Sequence, residues 1–179
     1  MQRMKRFLTG LIAALLLSPS AYAEGTESFG IALGSTSFQE FAGKYPAYFS
    51  KGKSGCEDYP SYGVYTSQIE DESLFSLDVS FDGNERAAAV AAKIKKARGD
   101  EVLGILREKY TEVRTAHDGR QDDGSGTLYS FRNGDDRIDL FIPADGGLIE
   151  VRYAVPEFRW TCTKDKDGNY NRDGLQDLL

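Results

Sequence analysis

The chain has 179 residues, with 22 basic, 28 acidic and one histidine, for a formal net charge of −6. That balance contains no basic stripe able to release counterions, which disfavours nucleic acid and anionic lipid as partners. A single imidazole also excludes a metal site built from several histidines, and the length suits one domain with its own core.

Residues 1–23 have the three parts of a secretory signal in order. Arg3, Lys5 and Arg6 form a basic start, and Phe7 to Leu17 an apolar run. Ala21-Tyr22-Ala23 follows as an A-x-A cleavage site, after Ser18-Pro19-Ser20. The apolar run is shorter than the roughly twenty residues a bilayer span requires. The mature chain is therefore expected to begin at Glu24, in the periplasm or, alternatively, outside the cell, with no membrane span. The leader holds three basic and no acidic residues, so its removal leaves 19 basic against 28 acidic residues, a net charge of −9. In an oxidising compartment the two cysteines, Cys56 and Cys162, are expected to form one disulfide across a loop of about a hundred residues.

Phe29 to Gly34 reads as a short strand between glycines. A capping box at Thr36/Gln39 or Ser37/Glu40 then opens a helix, with Phe38, Phe41, Ala42 and Tyr45 on one apolar face and Pro46 at its stop. Ala47 to about Tyr62 reads as a loop rich in Gly, Ser, Lys and Tyr, and Val64 to Ile69 as a strand. Phe75 to Phe81 alternates apolar and polar residues, the pattern of a half-buried strand. Asp82-Gly83-Asn84 is a hairpin turn, Gly83 tolerating the positive φ of such turns, and the alanine-rich return is expected to be a strand to about Ile94.

Gly99-Asp100 opens a second helix with Val102, Leu103, Leu106 and Tyr110 inward. A polar loop is expected from Ala116 to Gly126, then strands over 128–132, 137–143 and 148–155, and a last short strand over 157–163. The halves echo each other. Gly63-Val-Tyr65 matches Thr127-Leu-Tyr129, and Leu77-Asp78-Val79 matches Ile138-Asp139-Leu140. The expected fold class is therefore α+β: two helix-plus-antiparallel-meander halves, about 29–96 and 99–160, packed as one domain over 24–163. A polar tail follows over 164–179.

Phe29-Gly-Ile-Ala-Leu-Gly-Ser-Thr36, the Lys44-Tyr45 helix end, Phe81-Asp-Gly-Asn84 and Glu101-Val-Leu-Gly-Ile-Leu-Arg-Glu-Lys-Tyr110 carry a resemblance. The chain resembles a family of small exported proteobacterial proteins of uncharacterised function. Its layout is more distantly similar to the β-lactamase-inhibitor protein fold and to the small lipoprotein subunit of the outer-membrane β-barrel assembly machine, although it has no lipidation cysteine. The resemblance implies a binding or accessory role and supplies no catalytic residues.

His117, within Thr115-Ala-His-Asp-Gly-Arg120, has no accompanying nucleophile turn. The carboxylates Asp122-Asp123 and Asp135-Asp136 lie in turns, where acids are solvated or close the turn, and Glu70-Asp71-Glu72 precedes a strand. The tail has half of a calcium loop at Asn169, Asn171, Asp173 and Gly174, but a carboxylate at its twelfth position would fall past Leu179. No cofactor and no metal ligand set is therefore expected. The segment holding Tyr48, Phe49, Tyr59, Tyr62 and Tyr65 has the composition of a binding loop, large rings among small adaptable residues, and equally that of rings folded onto a sheet. The sequence thus points to a non-enzymatic protein that binds an unidentified periplasmic or envelope protein, as an inhibitor, an immunity-like factor or an assembly accessory. The rivals are a carboxylate-dependent hydrolase acting on envelope material and a weak calcium-binding module.

Overall fold

The computed structural model describes residues 25–118 and 126–160. It is mostly antiparallel sheet, with two helices. A small hairpin, β1 (Glu27–Ser28) and β2 (Ile31–Ala32), leads into α1 (Phe38–Lys44). Strands β3 (Tyr48–Ser54), β4 (Tyr59–Val64), β5 (Leu74–Phe81) and β6 (Ala87–Lys95) follow. Then come α2 (Gly99–Lys109) and strands β7 (Thr111–Asp118), β8 (Gly126–Asn133), β9 (Asp136–Pro143) and β10 (Leu148–Ala154). The eight long strands form one sheet in the order β3-β4-β5-β6-β10-β9-β8-β7. The seam is β6 against β10, paired over seven residues from Leu148↔Lys95 to Ala154↔Ala89.

The expected strand at 29–34 is instead a hairpin, because Phe29 and Gly30 both adopt positive φ and turn the chain between Ser28 and Ile31. α1 forms where the capping box predicts it, from Ser37 and Glu40. The Glu40 N–H donates to Ser37 Oγ at 3.2 Å, and the Ser37 N–H donates to Glu40 Oε2 at 2.7 Å. Thr36 does other work, its Oγ1 accepting the Ala32 N–H at 2.8 Å. The second helix also forms as expected, with Leu103 and Leu106 buried.

The expected loop from Ala47 to Tyr62 is a correction. It is the β3–β4 hairpin, bulged between Ser50 and Gly52, where Gly52 has φ +90°. β3 is an edge strand facing water over most of its length, so its Gly, Ser and Lys content mimics a loop. The strand expected over 64–69 is likewise absent, since β4 ends at Val64 and a 3₁₀ turn covers Thr66–Gln68. In the β5–β6 turn the residue with positive φ is Glu85, not Gly83. Asp82 Oδ1 closes this turn by accepting the Asn84 and Arg86 N–H groups at 2.9 and 2.8 Å. β7 is an additional strand that runs through the start of the expected 116–126 loop, so the second meander has four strands. Residues 157–160 are not a strand, and 161–163 lie outside the described residues.

Both helices pack on the same side of the sheet. The register runs Tyr48–Val64–Leu77–Ala92–Val151–Leu140–Tyr129 across seven strands. These residues join Phe41 of α1 with Leu103 and Leu106 of α2 in one apolar cluster. Successive strand residues point to opposite faces, so this row fixes which residues lie on the other side.

Candidate binding surface

The helix-free face follows from the same register one residue along. One row reads Arg114–Ser130–Asp139–Arg152–Ala91–Asp78–Gly63–Phe49 from β7 to β3. The next reads Arg132–Arg137–Ala154–Ala89–Ser80–Ser61. Alanine, serine and glycine thus form a floor across β4, β5, β6 and β10, interrupted by Asp78 and Arg152.

One end of this floor is covered. After β10 the chain turns back, with Phe158 buried on Ala88, Ala89 and Ala154, and with Tyr59 and Trp160 against it. The Phe158 and Trp160 rings meet edge to face, 4.7 Å between centroids. The Cys56 N–H donates to the Arg159 carbonyl at 3.0 Å, which fastens the β3–β4 turn to this returning segment.

The Tyr-rich segment is divided between the two faces. Tyr48 and Tyr62 pack with Phe38, Phe41 and Phe81 beneath α1, so these two belong to the core. Tyr59 packs on Phe158 at 5.8 Å. Phe49 and Tyr65 stay on the surface, 41% and 55% exposed, their rings 4.9 Å apart. Phe49 lies over Gly63 so closely that a Cβ there would sit 2.5 Å from its Cζ. Beside this pair Lys51 reaches across β4 to Asp78, with Nζ–Oδ2 at 2.7 Å. Of the five rings picked out in the sequence, two form a surface patch.

At the other end of the face stand cations that sequence reading missed. Arg132 on β8 is directly opposite Arg137 on β9, and Arg152 lies one row away on β10. The Arg137 side chain is only 13% exposed, and its Nε is 3.1 Å from Asp139 Oδ2 without hydrogen-bond geometry. Burial lowers its pKa; Asp139 opposes that, and the positive charges of Arg132 and Arg152 add to it. Asp139 also accepts from Ser130 Oγ at 2.8 Å, and Glu150 holds Arg152 through two 3.0 Å bonds. The available signal was one arginine among the polar positions of each of three adjacent strands, spread over residues 132–152.

The other candidates are less concentrated. The main-chain position of His117 is opposite Thr127 within β7, not in a turn. Glu70, Asp71 and Glu72 border a shallow, open depression shared with Ser73, Lys95, Ala97 and Arg98. Ser73 hydrogen bonds hold the Asp71 carboxyl below its ordinary range. Glu40 and Glu112 are lowered as well, chiefly by hydrogen bonds from Ser37 and Arg107 respectively. A general acid needs the opposite shift. Asp122-Asp123, Cys162 and the calcium-like half loop of 169–174 lie outside the described residues, as does the leader. Among the described residues no cluster of His, Cys, Asp and Glu could hold a metal, and no helix is long and apolar enough to cross a membrane. Comparison with known proteins finds no matching family model, curated protein or solved structure.

Proposed function

We propose that this chain is an exported, non-enzymatic binding protein whose helix-free sheet face recognises a protein partner. One observation carries the reading. Both helices pack on one side, while the opposite side of an eight-stranded sheet combines a small-residue floor with the exposed Phe49–Tyr65 pair. A sheet face with no helix over it, bearing clustered rings and charges, is built like an interface, with anchors amid flat surroundings. In this reading the leader delivers the chain to the periplasm, and each helix with its four-strand meander forms one half of a duplicated domain. The corresponding strands β5 and β9 hold the matching stretches Leu77-Asp78-Val79 and Ile138-Asp139-Leu140, with the same residues turned to the helix face.

The test is crosslinking in a periplasmic extract, wild type against a Phe49→Ser/Tyr65→Ser double variant, with Ile105→Ser on α2 as a control. A specific crosslinked protein should form with the wild type and the control and be lost from the double variant. Equal crosslinking by all three forms would remove the sheet face from consideration.

A further inference from the structure

The arginines at the β8–β10 end of the open face are energetically unusual. Like charges directly opposite each other on neighbouring strands destabilise a sheet, and Arg132 and Arg137 hold that position. Arg137 is mostly buried, and a buried guanidinium is costly unless paired and hydrogen-bonded. Among the described residues its one ion partner is Asp139, which is shared with Ser130, and its Nε makes no hydrogen bond. Next to this group, Arg152 lies over the Trp160 ring at 5.3 Å, and the buried Trp160 Nε1 has no hydrogen-bond partner among the described residues.

The local charge balance runs against that of the chain. Arg114, Arg132, Arg137, Arg152 and, opposite Glu150, Lys93 occupy this half of the face, against Asp139 and Glu150. This surplus of cations sits in a protein of net charge −6. Directly opposed arginines and a local cation surplus have one common remedy, an anionic oxygen acceptor. Planar, forked guanidinium groups suit carboxylates, which can take two parallel N–H bonds.

We propose that Arg132, Arg137 and Arg152, with Trp160 as a wall, form a subsite for the side-chain carboxylates of an acidic segment of the partner protein. The assignment rests on the open face being the recognition surface and supplies the partner's chemistry: acidic residues at this end, and apolar ones toward Phe49 and Tyr65. The partner's carboxylates would offset the repulsion between Arg132 and Arg137, with the exposed Arg132 as the group they reach first.

Trp160 is the chain's one tryptophan, so its emission, excited beyond the tyrosine absorption, reads this site directly. Hexaglutamate, hexaglutamine and inorganic phosphate are the probes. Hexaglutamate should change the emission saturably at low salt and progressively less as salt is added, while hexaglutamine should do nothing. Arg137→Met and the exposed Arg132→Gln should each weaken the hexaglutamate response about tenfold. Arg137→Met should melt no lower than wild type, because it removes a poorly satisfied charge, whereas a purely structural Arg137 would lower the melting temperature. The proposal is overturned by an unresponsive Trp160, by an undiminished response in both variants, or by phosphate binding as tightly as hexaglutamate, which would make this a free-phosphate site. Crosslinking lost from the Phe49/Tyr65 variant, with Trp160 still silent toward hexaglutamate, would retire the carboxylate subsite and leave the binding surface intact.

Discussion

At the residue scale, two glycines beneath aromatic rings show how the same sequence feature serves different ends. Gly63 lies under Phe49 on the open face, and the nearest atom to an added Cβ is the far end of an exposed ring. Gly55 has φ +71°, and a Cβ there would meet the Phe158 ring at 2.9 Å and the Arg159 carbonyl at 3.0 Å. The first obstacle can swing away, while the second is backbone and a buried ring. Gly55→Ala should therefore cost about 1–2 kcal/mol from the left-handed conformation alone, with displacement of Phe158 added. Gly63→Ala should change stability by less than about 1 kcal/mol while reorienting Phe49. Urea denaturation of both variants checks the ranking, and equal losses would contradict the packing described for Phe158.

At the scale of elements, β10 ties the core to the N-terminal hairpin through Tyr153. Its ring is 9% exposed on the helix face, opposite Val90 and Ile138, and burial pushes its pKa up to about 12 from 10.0, although Ser28 pulls the other way. A phenol raised on folding holds more protons in the folded chain, so its stabilisation is complete below the unfolded value and is lost as pH climbs through the folded one. Stability should accordingly fall between about pH 10 and 12, by roughly 3 kcal/mol for this group. Tyr45 and Tyr110, also raised by burial, should add to the slope. Urea midpoints followed from pH 8.5 upward should show the decline, and Tyr153→Phe should flatten it; an unchanged slope would place the ring in water.

Such elements were legible in the sequence where burial enforces a period. α1, α2, β5, β9 and β10 each carry a face that joins the main core, and their apolar spacing shows it, while β6 was legible only as the return strand of the hairpin turn before it. β3 and β7 did not show it, because each is an edge strand with one neighbour, a bulge and mostly polar residues. Those same traits protect the edges against pairing with other chains. The binding surface was half legible for a related reason. Rings cluster visibly in sequence, but composition does not say that Tyr48 and Tyr62 point toward α1 while Phe49 and Tyr65 point away. The arginines come together only through the pairing of β8, β9 and β10.

At the scale of the whole molecule, the question is what holds the returning segment 155–160 over the sheet. It makes few main-chain bonds to the sheet, such as Val155 N–H to Ala88 O at 2.9 Å, and it buries Phe158 on small residues. Its other anchor is the β3–β4 turn, where Cys56 is 7% exposed and its N–H bonds Arg159, three residues before Cys162. That placement supports a Cys56–Cys162 disulfide, which would fasten the first hairpin to the chain beyond the last strand. The bridge would enclose β4 to β10 and α2, and for a closure of about a hundred residues loop entropy sets an upper value of about 4.7 kcal/mol. Intact mass before and after reduction and alkylation should reveal two sulfurs that react only after reduction. Reduction, or Cys56→Ser, should lower stability by up to about 4 kcal/mol and quench or shift the Trp160 emission as the returning segment loosens. A reduced protein that melts unchanged, with Trp160 undisturbed, would mean that Phe158 and the main-chain bonds suffice to hold the segment. The arginine site beside Trp160 would then be built by packing alone.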